Sequence, residues 1–150
     1  AKDVASDITH IDLSNVDLYY GIDAGEAQIV SGPSAGAALA IATISALEGK
    51  ELNNQVMITG SINHDGTIGP VGEITQKAKA AKEVGAETFL VPLMQSQEIA
   101  YERKEHCQKF GRSQFCTIEQ IPVKVNVAEE IGINVIEVQN IKEALDYFYS

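Results

Sequence analysis

One serine lies at the start of the strongest predicted helix, in the run Gly32-Pro33-Ser34-Ala35-Gly36. Ser31 suits an N-cap position and Pro33 suits the first turn, and the apolar run of residues 35–47 follows them. The N–H groups at a helix start are unpaired and partly positive, so they can stabilise an oxyanion. The small residues around Ser34 would let a substrate backbone approach. Ser34 is therefore a candidate nucleophile, and the alternative is a capped helix start with small residues for tight packing.

A serine nucleophile needs a base, and the sequence offers histidines and lysines. A Ser-His-Asp arrangement stays open, but nothing distinguishes one of the three histidines, which all lie in polar or turn contexts: His10, His64 and His106. A lysine can act as a general base only after losing its proton, which requires desolvation. On the helix predicted over residues 73–84, Lys77 lies beside Ile74 and Ala81 on the apolar face, and the other lysines face outward: Lys79 and Lys82. Lys77 is the candidate base, and the alternative is a surface lysine whose stem lies along apolar neighbours.

The composition is that of one acidic folded domain. The 150 residues are 45% hydrophobic, and 11 Lys and Arg against 21 Asp and Glu give a net charge of −10. This charge largely excludes binding to the phosphate backbone of nucleic acids and argues against binding to an anionic membrane surface. No apolar run reaches the length of about 18 residues that a membrane-spanning helix requires. Two cysteines alone cannot form a structural zinc site, so we expect no metal, and we expect no other cofactor.

Short apolar strands alternate with helices along the chain, which predicts an α+β fold built of α/β layers. The strands are predicted at residues 18–22, 27–30, 56–59, 88–91, 123–127 and 135–138. The helices are predicted at residues 35–47, 73–84 and 141–148, with a further polar helix in the first part of residues 95–115. Asp65-Gly66 predicts a hairpin turn.

Several segments together resemble the proteolytic domain of Lon proteases, which are peptidases with a Ser-Lys dyad. They are residues 31–36 with the following alanine-rich helix, residues 45–49, 56–62 and 66–77, and the pairs at 80–81, 85–86 and 91–92. The interval from Ser34 to Lys77 is 77 − 34 = 43 residues, which fits the family without a gap. Residues 133–148 resemble the last strand and helix of the family more loosely. The similarity is closest to archaeal Lon and to archaeal Lon-like proteases that lack the ATPase.

The resemblance implies a fold, a reaction and a set of residues. The fold would be the Lon proteolytic-domain architecture, which is similar to ribosomal protein S5 domain 2. Ser34 would be the nucleophile and Lys77 the general base, and backbone groups around Gly32 and Pro33 would hold the oxyanion. Thr59 matches a family threonine that lies close to the lysine, and we expect it to orient the Lys77 amine. The expected substrates are unfolded or extended polypeptides, and the resemblance also implies a homo-oligomer, as in the hexameric Lon rings.

Several features depart from the family. Gly49-Lys50 is followed by Glu51 and is not a P-loop, so we expect any ATPase to lie on another chain or a missing segment. Only 33 residues precede Ser34, so we expect part of the first strand layer to lie upstream of Ala1, either absent or cut off. The family often has an acidic residue shortly before the serine. The nearest acids here are Asp23 and Glu26, which we expect in a solvated turn, and the alternative is that either one tunes Lys77.

A long connection at residues 95–122 carries both cysteines, Cys107 and Cys116. A disulfide, free thiols and a metal clip with His106 are the alternatives for this pair. A disulfide would favour an exported or membrane-associated domain over a cytoplasmic one, unless the source is a hyperthermophile.

The expectation is thus an ATP-independent, Lon-like serine peptidase that acts through Ser34 and Lys77. Two other classes of function stay open at this point. One is a non-catalytic member of the same fold that serves in assembly or in holding polypeptides. The other is an α/β domain that binds an anion or small molecule at the helix start of residues 32–36.

Overall fold

A parallel sheet forms the centre of the computed structural model, which describes residues 1–23, 25 and 32–150. Its three strands, named in chain order with the others below, are β1 (Val56–Ile58), β4 (Thr88–Pro92) and β7 (Asn134–Val138). β4 lies in the middle, and its Leu90 is aligned with Ile58 on one side and Ile136 on the other. A parallel sheet needs cover on both faces because its strands are apolar on both sides.

Helices supply that cover and create two cores. One face carries α1 (Lys2–Thr9), α2 (Gly36–Glu48) and α5 (Ile141–Phe148), and the other carries α3 (Ile74–Glu83) and α4 (Val127–Ile131). Side chains alternate along β4, so Leu90 joins the core under α2 while Phe89 and Val91 join the core under α3. The layered α+β prediction is confirmed.

A short hairpin connects the first strand to α3. It consists of β2 (Ser61–Ile62) and β3 (Ile68–Gly69), paired antiparallel with Ser61 opposite Gly69. Asp65 closes the turn by accepting hydrogen bonds from the Thr67 N–H at 3.0 Å and the Thr67 hydroxyl at 2.6 Å. The turn predicted from Asp65-Gly66 is confirmed.

The predicted helices over residues 35–47, 73–84 and 141–148 correspond to α2, α3 and α5, and the strands at 56–59, 88–91 and 135–138 correspond to β1, β4 and β7.

The strand predicted at residues 18–22 is wrong. This described segment is irregular and packs against α2, where the Tyr20 hydroxyl meets Thr43 Oγ1 at 2.7 Å. The strand predicted at 27–30, the Ser31 cap and Glu26 lie outside the described residues. α1 was not predicted, because only the narrow stripe around Val4 and Ala5 is buried.

The helix predicted in the first part of residues 95–115 is also wrong. The chain there forms a long hairpin of two 14-residue strands, β5 (Gln97–Phe110) and β6 (Ser113–Asn126). The strand predicted at 123–127 covers the end of β6 and Val127, the first residue of α4. Most of its side chains are exposed, so the cross-strand pairs rather than a buried face determine the structure. Cys107 lies opposite Cys116 in the ladder, and the two form a disulfide. Both thiols are consumed by this bond, which leaves no thiolate for a metal clip.

None of the helices in the described part of the chain combines the length and hydrophobicity that crossing a bilayer requires.

Candidate active site

Ser34 lies in a tight turn rather than in the helix itself. Residues Pro33–Ala35 form a single 3₁₀ turn that leads into α2, and Gly36 N–H donates to the Pro33 carbonyl. Gly32 has φ 113° and ψ 157°, a conformation that L residues with side chains rarely adopt, so glycine is required there for its backbone. Ser34 is half-buried at this position. Pro33 carries no N–H, so its contribution is a fixed φ, and backbone donors to an oxyanion would have to come from its neighbours.

The connection between β1 and β2 fixes this turn from one side. Gly60 N–H donates to the Ser34 carbonyl at 3.1 Å, and Ala37 N–H donates to the Gly60 carbonyl at 3.0 Å. The buried Thr59 hydroxyl also points to the Ser34 carbonyl, at 3.4 Å. Thr59 therefore supports the serine turn in this structure, and its expected role in orienting the Lys77 amine stays a prediction.

Gly36, the last residue of the serine motif, is required for packing. A Cβ added there would lie 2.8 Å from Ile62 Cγ2 and 3.0 Å from the Ile62 backbone nitrogen. The absence of a side chain thus lets β2 pack directly against the first turn of α2. The smallness of Gly36 therefore serves packing within the protein, which is the alternative given above for the small residues of this motif.

Lys77 lies on α3 and is half-buried, while Lys79 and Lys82 are exposed, as the helical periodicity predicted. Its amine donates to the Gly72 carbonyl at 2.8 Å, and its backbone N–H donates to the Glu73 carbonyl at 3.1 Å. The amine is therefore bound to the segment that leads into its own helix.

Ser34 and Lys77 both lie in the part of the chain that the structure describes, and no hydrogen bond joins them there. The β2–β3 hairpin links their surroundings, because Gly60 before β2 binds the Ser34 turn and Gly72 after β3 binds the Lys77 amine. Within the described residues, none of the three histidines hydrogen-bonds to Ser34; two of them lie beside carboxylates instead, His64 with Asp3 and His106 with Glu119, both at 3.6 Å. The structure thus offers no Ser-His-Asp arrangement among these residues.

Of the two acids expected to lie in a solvated turn, Asp23 is described. It accepts a hydrogen bond from the Gly25 N–H at 3.0 Å, which closes a local turn.

Glu98 and Gln95 were not singled out in the sequence, yet both bind the segment that carries Lys77. Glu98 accepts hydrogen bonds from Thr75 and Ile74, and Gln95 pairs with Val71. Burial raises the pKa of Glu98, but those hydrogen bonds and the positive charge of Lys77 outweigh burial and hold the pKa below the usual glutamate value. No local sequence signal marks these two residues, because their partners lie 23 or 24 positions away.

The sequence matches one family, the Lon protease (S16) C-terminal proteolytic domain, over residues 6–121. The chain belongs to the Lon protease family. It is 34% identical over 114 residues to the archaeal Lon protease of Thermoplasma volcanium, which covers 76% of this chain and 17% of that protein. It is 38% identical over 81 residues to the archaeal Lon protease of Archaeoglobus fulgidus, covering 54% of this chain and 13% of that protein.

A bacterial relative gives the same result. Lon protease 2 of Bacillus subtilis is 36% identical over 107 residues, covering 70% of this chain and 17% of that protein. The chain therefore spans only about a sixth of the length of these relatives, and the part it spans is Lon proteolytic domain. The predicted family and fold class are confirmed. Both Ser34 and Lys77 lie within the matched residues of this Lon domain.

Proposed function

We propose that this Lon domain hydrolyses peptide bonds through Ser34 as nucleophile and Lys77 as general base. The observation that carries the proposal is the family match over residues 6–121, which includes both residues. The position of Ser34 at a turn before a helix supports it, because Ser34 is only half-buried and the N–H groups at a helix start can bind an oxyanion. The half-burial of Lys77 supports it further, because its side chain is partly covered by protein, unlike those of Lys79 and Lys82 on the same helix.

The proposed reaction has two stages. Neutral Lys77 takes the hydroxyl proton as Ser34 Oγ bonds to the peptide carbonyl carbon, and the carbonyl oxygen becomes an oxyanion held by backbone N–H groups. The C–N bond then breaks, and Lys77 returns the proton to the leaving amine, which leaves an acyl-enzyme. In the second stage, water attacks the acyl carbon and Lys77 takes a proton from that water. The bond from the acyl carbon to Ser34 Oγ then breaks, and Lys77 returns the proton to Ser34. Before the first stage, the Lys77 amine must leave the Gly72 carbonyl and form a hydrogen bond with the Ser34 hydroxyl.

The test is turnover of casein and of unfolded peptides by single variants. We expect Ser34→Ala and Lys77→Ala to abolish turnover, and Lys77→Arg to be inactive too because arginine stays protonated. Lys79→Arg is the matched control, since Lys79 lies exposed on the same helix. Near-wild-type turnover by Lys77→Arg would contradict the general-base role.

A non-catalytic role in holding polypeptides is the second candidate, and the lack of a Ser34–Lys77 hydrogen bond favours it. This candidate predicts polypeptide binding with no turnover, and with no effect of Ser34→Ala. The anion-binding candidate predicts that phosphate raises the melting temperature and that a bulky substitution at Gly32 removes the effect. Turnover that disappears in the Ser34→Ala variant and in the Lys77→Ala variant would eliminate the holding role and the anion-binding role.

We further propose extended polypeptides as substrates, a homo-oligomer (a hexameric ring by analogy with the family) as the working form, and no ATP site within this chain. Any ATPase would then act from an upstream segment or a separate chain. Sedimentation of the purified chain tests the ring, and peptide turnover without ATP tests the last point.

A further inference from the structure

We propose that Gln95 and Glu98 are positioning residues for Lys77, because from residues 95–98 they hold the segment of residues 71–75 that binds the Lys77 amine. Residues 95–98 precede and begin β5 and are called the hairpin root below. The inference rests on the proposed function, in which Lys77 is the general base.

Gln95 binds the first residue of this segment through both ends of its side-chain amide. Val71 N–H donates to Gln95 Oε1 at 2.9 Å, and Gln95 Nε2 donates to the Val71 carbonyl at 2.6 Å. The pair satisfies both backbone groups of Val71, as a neighbouring β-strand would. Because Gln95 is half-buried, water competes only partly for these bonds.

Glu98 binds the other end of the segment, at the N-terminus of α3. Its carboxylate accepts from Ile74 N–H at 3.2 Å, from Thr75 N–H at 3.0 Å and from the Thr75 hydroxyl at 2.5 Å. The residue at the N-cap position, Glu73, makes no side-chain capping bond. The helix that carries Lys77 is therefore capped from the hairpin root rather than by its own sequence.

Between these two points, the chain adopts a conformation that needs outside support. Glu73 has φ 58° and ψ 41°, a left-handed conformation that is unfavourable for a non-glycine residue. The Lys77 amine is bound to the carbonyl of the residue just before it, Gly72. Gln95 on one side and Glu98 on the other thus fix the backbone that determines where the amine lies.

The experiment compares Glu98→Gln and Gln95→Ala with two matched controls, Glu102→Gln and Gln97→Ala, whose side chains are exposed on the same strand. The first readout is kcat and KM for a peptide substrate. The second is the rate of reductive methylation of Lys77, measured by mass spectrometry relative to exposed Lys79 on the same helix. The second readout does not depend on peptidase activity.

We expect kcat of Glu98→Gln and Gln95→Ala to fall about tenfold, since a base displaced by about 1 Å loses much of its efficiency. KM should stay within about twofold, because substrate contacts are unchanged. The ratio of Lys77 to Lys79 methylation should rise about two- to tenfold, the change expected when one ordinary hydrogen bond is weakened. Both control variants should match the wild type in all three quantities.

An unchanged kcat or an unchanged methylation ratio in both test variants would overturn the proposal, as would a change confined to KM. If the wild type hydrolyses no peptide, the proposed function fails. The methylation ratio then decides separately whether the hairpin root holds the Lys77 amine.

Discussion

Gly36→Ala offers a sharp test of how the serine turn is built. Gly36 begins α2 with ordinary helical angles, φ −56° and ψ −44°, so alanine fits the backbone. The problem is space, because the new Cβ would lie 2.8 Å from Ile62 Cγ2 and 3.0 Å from the Ile62 backbone nitrogen. Carbon atoms attract each other best at about 3.5–4.0 Å, so the methyl group would lie about 0.7 Å or more too close.

Two opposing terms determine the free energy of unfolding. Overpacking of this kind costs about 1–3 kcal/mol, since β2 or the start of α2 must shift. Glycine to alanine inside a helix gains up to about 1 kcal/mol, and less at the first residue. We therefore expect a net loss of about 1–2 kcal/mol, which is a sizeable part of the stability of a single domain.

Urea unfolding followed by circular dichroism measures this loss as a lower midpoint with an unchanged slope. Gly21→Ala is the control, because no described atom lies within 4 Å of its new Cβ, and it should change stability by less than about 0.5 kcal/mol. Combining Gly36→Ala with Ile62→Leu removes the branch methyl and should restore part of the loss, but the contact with the backbone nitrogen remains. A Gly36→Ala protein as stable as the wild type would refute the packing argument.

Three further predictions concern the hairpin and the titrating groups. Cys107→Ser should cost about 2–3 kcal/mol of local stability, and because most hairpin side chains are exposed, hydrogen exchange should increase in β5 and β6 far more than in β4. Burial and the hydrogen bond to Glu48 raise the pKa of Tyr149 to about 12, so ultraviolet titration should show a late-ionising phenol that Tyr149→Phe removes. The raised pKa contributes stability below the unfolded tyrosine value of about 10, and this contribution is lost as pH rises through about 12. The lowered pKa of Glu98 acts in the opposite direction, because its stability contribution is present above the usual glutamate pKa and disappears as pH falls through the lowered value. Glu98→Gln should therefore flatten the acid side of a plot of unfolding free energy against pH, while Glu102→Gln should not.

The central layers of the fold were predictable because periodicity and burial coincide there. The apolar face of α3 follows a helical repeat, so Lys77 could be separated from Lys79 and Lys82 by spacing alone. The Asp65-Gly66 turn and the glycine after α2, Gly49 with φ 64°, are local signals that need no tertiary information.

The rest depends on contacts between residues distant in the sequence. The β5–β6 hairpin was not predicted because its exposed strands carry charged residues where a buried strand would carry apolar ones. Its register follows from pairing between strands, including the pair Cys107 and Cys116, and a single sequence does not reveal such pairing. Glu98 was not predicted for the same reason, because its capping bond forms only where the start of β5 lies beside the start of α3.

The geometry also indicates which contact must change for Ser34 and Lys77 to meet, namely the bond of the Lys77 amine to the Gly72 carbonyl. The serine turn is bound to Gly60, and the β2–β3 hairpin that follows is fixed by the register of Ser61 opposite Gly69. Its far end is held as well, because Ile68 N–H donates to the Gln139 carbonyl at 2.9 Å.

Residues 71–75, which follow β3 and include the left-handed Glu73, are held by side chains of the hairpin root instead of by strand pairing. A change at the hairpin root would act on this stretch directly through Val71, Ile74 and Thr75. We therefore expect the Lys77 amine to leave the Gly72 carbonyl and reach Ser34 while the hairpin root holds residues 71–75 and while β2 and the serine turn stay in place.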